Sequence, residues 1–282
     1  LRRTRPAAVV GFGGYPTLPP VLAATLRRIP TVIHDANAVM GRANRMLSSR
    51  VSAIATSFPG ITLDAAFSAK ATFTGNPIRP AVIAAAAIAY PELDAAGTFN
   101  LLVTGGSQGA RVMSDIVPLA VAAMPAELRA RLSIVQQARG EDEQRVAATY
   151  QGLGVKAEVA PFFSDLPARI AAAHLIVSRS GASTVAELAA IGRPAILVPL
   201  PGALDQDQLA NANVLGAAGG AIVLKQDDFT PERLADKVSR LAADPARLAA
   251  MAAGAKSAGV LDAADRLADL VLRVANVIPA SR

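Results

Sequence analysis

Short apolar runs recur along this chain, each followed by small or polar residues and then a helix-like pattern. That alternation is the strongest constraint on its fold. The runs fall at 7–10, 31–34, 53–56, 71–73, 100–104, 133–136, 157–160, 174–178, 195–198 and 221–224. Leu101-Leu102-Val103 and Leu175-Ile176-Val177 are apolar at consecutive positions, which a strand needs only when both of its faces are buried. Strands alternating with helices form parallel sheets covered on both sides. The expectation is an α/β protein with Rossmann-like, doubly wound parallel sheets, whose ligands bind outside the carboxyl ends of the strands.

Two prolines and a glycine in Gly75-Asn76-Pro77-Ile78-Arg79-Pro80 stop regular structure, and a fresh strand–helix series starts near Asn100. The expected domains are 1–78, 79–258 and a C-terminal segment, 259–282. In that segment Leu267, Leu270, Val271 and Val274 make a helical stripe, expected to pack back on the first domain. Thr230-Pro231-Glu232 reads as an N-cap, a first-turn proline and an acid opening another helix.

Composition removes several function classes. With 52% hydrophobic and 18% charged residues over 282 positions, the chain is globular rather than disordered. No Cys and two His leave no thiolate or His-rich metal site. The net charge is +6, and Arg2, Arg3, Arg5, Arg27, Arg28, Arg42, Arg45 and Arg50 concentrate near the start. Basic runs interleaved with aromatics are missing, so the charge reads either as ordinary solvated arginine or as attraction to phosphate or an anionic membrane surface, in preference to nucleic acid. The longest apolar run, 81–90, is about half of the ~20 residues that span a bilayer. The chain opens Leu1-Arg2-Arg3 and enters a strand almost at once, which reads as a start inside a domain.

Five constellations follow strands. Gly11-Phe12-Gly13-Gly14-Tyr15-Pro16-Thr17 is a glycine loop in which Thr17 is placed to cap the next helix. His34-Asp35-Ala36-Asn37 offers Asn37 as a sugar contact with both donor and acceptor. His34 reads either as a general base or, more simply, as a strand-end histidine bonded to a backbone carbonyl. Gly105-Gly106-Ser107-Gln108-Gly109-Ala110-Arg111 can hold a phosphate oxygen through backbone N–H groups and the Ser107 hydroxyl. It matches neither a P-loop nor a dinucleotide fingerprint and has no Lys for a terminal phosphate, which disfavours ATP hydrolysis. Ser178-Arg179-Ser180-Gly181-Ala182-Ser183-Thr184-Val185-Ala186-Glu187 reads as a small-residue turn entering a helix. Its carboxylate can accept two hydrogen bonds from a ribose diol. Thr184-x-x-Glu187 also fits a capping box, which merely starts a helix. Asp205-Gln206-Asp207-Gln208 offers either sugar-reading amides or an Asp-capped helix start. No Ser/His/Asp triad is evident.

Together, GFGGYPTLPP, VIHDANAVMGRANR, ATSFP, TGNPIR, LLVTGGSQGAR, PFFSDL, VSRSGASTVAELAAIGRPAILVPLP and DQDQLANA are similar to the MurG-type N-acetylglucosamine transferases of bacterial peptidoglycan synthesis. The motifs run in family order from residue 9 to about 212. The resemblance implies a two-domain glycosyltransferase of the GT-B type, with UDP-GlcNAc as donor and undecaprenyl-pyrophosphoryl-MurNAc-pentapeptide as acceptor. It implies an inverting transfer to the muramyl 4-hydroxyl without a metal or other cofactor, at the cytoplasmic face of the bacterial inner membrane.

By motif position, the resemblance puts Arg79 and the backbone of Phe163 near uracil and Glu187 on the ribose. Ser107, Ala182, Ser183 and Thr184, with the adjoining Val185 and Ala186, fall at the diphosphate. Gln208 and Asn37 fall at the GlcNAc. Gly13, Gly14 and Tyr15, with Asn37, face the acceptor. The family's first glycine loop, a GGTGGH-like motif whose His is the candidate base, is not in this sequence. The expectation is therefore an incomplete first domain, no assignable base and an activity that this chain alone does not secure. The family's HEQNA is His34-Asp35-Ala36-Asn37-Ala38 here, its His before the Gln is Gly202, and its Asn after GGSQGAR is Ser114. Two alternatives stay open: another UDP-sugar enzyme such as a UDP-GlcNAc 2-epimerase, and a non-catalytic nucleotide-binding fragment.

Overall fold

The computed structural model describes residues 3–60, 65–94, 96–106, 109–202 and 207–276. The chain divides into two compact units. One comprises Leu1–Ile78, Ala203–Asn211 and Val260–Arg282, the other Arg79–Gly202 and Ala212–Gly259.

The first unit holds β1 (Val9–Gly11), β2 (Thr31–Asp35), β3 (Ala53–Thr56) and β4 (Ala71–Phe73), parallel throughout and ordered β1-β2-β3-β4. Every residue of β2 and β3 is buried, the polar Thr31, His34, Asp35 and Thr56 included. Ile33 and Ile54 pack with Val21, Met40, Leu47 and Val51 on one face. On the other face, Val32, Ala53 and Ala55 pack with Leu267 and Leu270 of the helix Ala263–Val274, and Val271 and Val274 lie at the edge. Burying Leu267 and Leu270 contributes about 2 kcal/mol each.

The second unit holds β5 (Phe99–Thr104), β6 (Leu132–Gln137), β7 (Lys156–Ala160), β8 (Leu175–Ser178), β9 (Ala195–Leu197) and β10 (Ala221–Val223). All are parallel, in the order β10-β9-β8-β5-β6-β7. The chain winds outward from β5 through β6 to β7, then returns to β8 beside β5 and winds the other way. The strand order therefore reverses between β5 and β8, and a crevice opens at the carboxyl end of such a sheet at that point. Leu101, Val103, Leu175 and Val177 pack with Met113, Val117, Leu234 and Val238 of the covering helices. Leu102 and Ile176, which face the opposite way, are buried as well.

Each expected apolar run holds a strand, with edges shifted by one or two residues. The helix Pro231–Ala242 starts where its sequence places it: Thr230 Oγ1 accepts from the Arg233 N–H at 3.3 Å. Thr17 behaves otherwise. Its hydroxyl donates back to the Gly13 carbonyl at 2.5 Å and caps nothing in the helix Leu18–Leu26. Thr17 itself has helical angles, φ −71° and ψ −30°, because it closes the 3-10 turn Tyr15–Thr17, so its side chain does not sit where an N-cap oxygen meets the first helical N–H groups. Among the described residues no helix is long and apolar enough to cross a membrane.

Candidate functional site at the strand-order reversal

In the second unit, the loops after β5 and β8 flank the reversal. The β5 loop turns at Gly105 because nothing larger fits: a Cβ there would lie 2.1 Å from the Ala110 nitrogen and 2.6 Å from the Gly109 carbonyl carbon. Gly106 and Gly109 have φ of 84° and 68°. Ser107, the expected phosphate contact, lies outside the described residues.

The β8 loop leads into the helix Ala182–Ile191, whose N-cap is Gly181 with no side-chain cap bond. The capping box is not formed. Thr184 is already inside the helix, so its hydroxyl cannot reach the position of an N-cap side chain. Ala182, Ser183 and Thr184 form the first helical turn, where unpaired N–H groups and the helix dipole favour an anion. Val185 is buried, and its N–H is spent on the Gly181 carbonyl at 3.0 Å. Ala186 is half-buried in the next position.

Glu187 meets Arg79. Its Oε1 accepts from Arg79 Nε at 3.2 Å and from Nη2 at 3.0 Å. The Glu187 side chain is 12% exposed and that of Arg79 is 58%. The carboxylate is thus held at the edge of the site by a largely exposed partner, and such a pair contributes about 0–1 kcal/mol.

Three residues that sequence reasoning did not single out hold these loops. Gln137, at the end of β6, accepts on Oε1 from Thr104 Oγ1 at 2.9 Å and from the Gly105 N–H at 3.2 Å. Its Nε2 donates to the Pro161 carbonyl at 3.2 Å. Arg179 is buried, and its hydrogen-bond partners among the described residues include no carboxylate. It donates to the Val198 and Pro199 carbonyls at 3.1 Å and to Gln226 Oε1 at 2.6 Å, fixing the segment after β9. Burial pulls its pKa down. Arg169 lies 4.3 Å over the Phe163 ring. Only the amide pair Gln136-Gln137 at a strand end signals any of this in the sequence.

In the first unit, the loops after β1 and β2 line a cavity of about 220 Å³ whose walls include Gly13, Gly14, Tyr15, Asn37 and Asn44. Tyr15 is exposed. Asp35 organises the β2 loop by accepting from the Asn37 N–H at 3.2 Å, the Gly41 N–H at 2.9 Å and Asn44 Nδ2 at 3.0 Å. Asn37 Oδ1 accepts from Asn211 Nδ2 at 3.0 Å, and Asn211 Oδ1 accepts from the Ala38 N–H at 2.8 Å. Asn211 is a further residue not singled out beforehand. Gln208 sits in the first turn of the helix Asp207–Ala217, its N–H bonded to Asp207 Oδ1 at 2.8 Å. Asp205 and Gln206 lie outside the described residues.

His34 takes the simpler of its two readings. Its Nε2 lies 3.2 Å from the Gly75 carbonyl and 3.1 Å from Ser57 Oγ, and burial lowers its pKa. Among the described residues no cluster of His, Cys, Asp and Glu could hold a metal ion.

Two parallel α/β units with loops gathered at the carboxyl edges, one carrying a helix N-terminus and a carboxylate at the strand-order reversal, define the GT-B class of sugar-nucleotide enzymes. Comparison with known proteins agrees. Residues 100–267 match the glycosyltransferase family 28 C-terminal domain and residues 1–56 its N-terminal domain. A Rhodopseudomonas palustris (strain BisB18) protein is 64% identical over 98% of this chain and 74% of its own length. It is named UDP-N-acetylglucosamine–N-acetylmuramyl-(pentapeptide) pyrophosphoryl-undecaprenol N-acetylglucosamine transferase. The crystal structure of Acinetobacter baumannii MurG superposes with a TM-score of 0.81 at 31% identity, covering 96% of this chain and 76% of that one. A UDP-GlcNAc 2-epimerase from Neisseria meningitidis shares the fold alone, with a TM-score of 0.66 at 16% identity over 97% and 78% of the two chains. The chain belongs to glycosyltransferase family 28 and, within it, to the MurG N-acetylglucosamine transferases.

Proposed function

We propose that this chain moves GlcNAc from UDP-GlcNAc to undecaprenyl-pyrophosphoryl-MurNAc-pentapeptide, giving lipid II. The observation that carries this is the second unit's carboxyl edge, where a tight glycine loop, a helix N-terminus and Glu187 converge on the strand-order reversal. Glu187 accepts the ribose hydroxyls. The exposed Arg79 side chain yields the carboxylate to them and turns toward the base, which the Phe163 main chain reads. The helix Ala182–Ile191 receives the diphosphate at Ala182, Ser183 and Thr184, and the loop 105–110 receives it from the other side. In the first unit, Gly13, Gly14 and Tyr15 face the acceptor, and Asn37 and Gln208 serve the GlcNAc.

The muramyl 4-hydroxyl oxygen attacks the anomeric carbon from the face opposite UDP. The bond from that carbon to the diphosphate oxygen breaks, and its electron pair leaves with UDP. Charge builds on the leaving diphosphate, and N–H groups already aimed at it stabilise that charge without reorganising. The hydroxyl proton passes to a base. His34 is not that base, because its Nε2 is engaged with the Gly75 carbonyl and the Ser57 hydroxyl and burial lowers its affinity for a proton.

A lipid-linked acceptor requires the enzyme to work at the cytoplasmic membrane surface. In the first unit, the helix Leu18–Leu26 exposes Leu22 and Leu26, the latter by 78%, and runs into Arg27 and Arg28. Apolar side chains beside cations suit the interface of an anionic bilayer.

One assay tests both statements: transfer of labelled GlcNAc to the acceptor carried in vesicles with or without anionic lipid. Incorporation that rises with anionic lipid is expected. No incorporation on any vesicle contradicts the transfer, and equal incorporation on both contradicts the membrane face.

A further inference from the structure

The segment 161–165, after the edge strand β7, is anchored at both ends by side chains from outside it. At its start, the Pro161 carbonyl accepts from Gln137 Nε2. The Gln137 amide has only one workable orientation. Its oxygen faces the Gly105 N–H, which only donates, and its nitrogen faces the Pro161 carbonyl, which only accepts. Gln137 is buried, so neither bond competes with bulk water.

At its end, Arg169 reaches back from the helix Leu166–Ala172. Its guanidinium forks onto Glu158, with Nη1 to Oε2 at 2.7 Å and Nη2 to Oε1 at 2.9 Å. Its Nε donates to Asp165 Oδ1 at 2.7 Å. The same planar group covers the buried Phe163 ring. Glu158 lies on β7 and Asp165 closes the segment, so one side chain ties strand, segment end and Phe163 together. A planar cation that forks and stacks at once is a task for Arg and not for Lys.

Between these anchors, the Phe163 N–H makes no hydrogen bond to any described residue, and its C=O, which opens the turn 164–165 into the next helix, keeps a second lone pair. The N–H and C=O of one residue match the uracil edge, which offers a carbonyl acceptor and an N3–H donor. Cytosine presents the opposite pattern, an amino donor and an unprotonated N3 acceptor. Discrimination then depends on how firmly the Phe163 main chain is held, since a segment free to shift can offer either group alone.

We infer that Arg169 and Gln137 are positioning residues for base selection: they clamp the segment 161–165 so that Phe163 presents a fixed uracil-shaped pattern. This rests on the proposed donor site and adds to it the residues that set its base specificity. Gln137 also ties the base segment to the Gly105 turn, so the base and diphosphate contacts are set by one amide.

Calorimetric titration of UDP and of CDP tests the inference on the whole chain and on Arg169→Met, Arg169→Lys and Gln137→Met. Arg169 has its polar head among exposed carboxylates, so its variants keep the fold even if Gln137→Met does not. The expected result for Arg169→Met is a roughly tenfold loss of UDP affinity, with CDP unchanged and the UDP preference reduced by the same factor. Arg169→Lys gives the same loss, because an ammonium cannot hold both carboxylates and cover the ring. A folded Arg169→Met that keeps the parent preference for UDP over CDP, or that loses affinity for both equally, overturns the inference. Failure of the parent chain to bind UDP contradicts the donor site itself, so the two failures are distinct.

Discussion

Both units place glycine loops at the carboxyl ends of parallel strands, yet Gly105 and Gly14 within them are required on different terms. In the second unit, the Gly105 turn is dictated by space, since the Ala110 and Gly109 backbones occupy any Cβ position. Its polar groups are then pinned by Gln137. In the first unit, Gly14 has only Pro16 Cδ near a Cβ position, at 3.6 Å, and is needed for its backbone angles, φ 73° and ψ 160°. Phe12 and Tyr15 beside it stand exposed. On the proposed function, the preset cradle takes the nucleotide, a small and invariant ligand, and the loop with its aromatic groups outside takes the large, amphiphilic lipid-linked acceptor.

The sharpest way to break this comparison is a pair of alanines. Gly105→Ala forces the loop apart, at a cost of about 3 kcal/mol and so roughly a hundredfold in UDP affinity. Gly14→Ala costs about 1–3 kcal/mol of backbone strain, felt in the stability of the first unit, and leaves UDP affinity in place. Titration with UDP and urea melts of both variants check this. An unchanged UDP affinity in Gly105→Ala contradicts a cradle set by packing.

A smaller effect concerns the two histidines, one buried in each unit. His34 faces the Gly75 carbonyl, while His174 Nδ1 accepts from the Asn100 N–H at 2.9 Å and its Nε2 faces the Glu92 carbonyl at 3.3 Å. Burial lowers both pKa values below the ordinary value near 6.5. The unfolded chain therefore binds more protons in that window. Their contribution to stability is complete above about pH 6.5 and declines as pH falls toward the folded values, by at most ~1.4 kcal/mol per pH unit for each histidine. A urea midpoint lower at pH 5.5 than at pH 7.5 is expected, and equal midpoints contradict it.

The fold was legible because its strands are buried on both faces, so continuous apolar runs such as Leu101-Leu102-Val103 mark them without any tertiary information. The helix start at Thr230 was legible for a similar reason, since its N-cap bond spans only three residues. Contacts between distant segments were not legible. Gln137 joins β5 to the segment after β7, and nothing in a strand-end Gln-Gln pair says which carbonyl it meets. Thr17 has the residue type of a helix cap, but the turn Tyr15–Thr17 gives it helical angles, which the sequence does not announce. The place of Glu187 in the helix after the small-residue turn follows from its spacing. Its pairing with Arg79, 108 positions earlier, required the fold.

The central claim is that the reversal between β5 and β8 in the second unit is a UDP-GlcNAc site organised around Glu187. Calorimetric binding of UDP-GlcNAc to the parent chain and to Glu187→Gln tests it most directly. Binding by the parent and a loss of about 2–3 kcal/mol in the variant, roughly a hundredfold in Kd, is the predicted result, because ribose hydroxyls lose a charged acceptor. Equal affinity in the two proteins, or no binding by a folded parent chain, contradicts it.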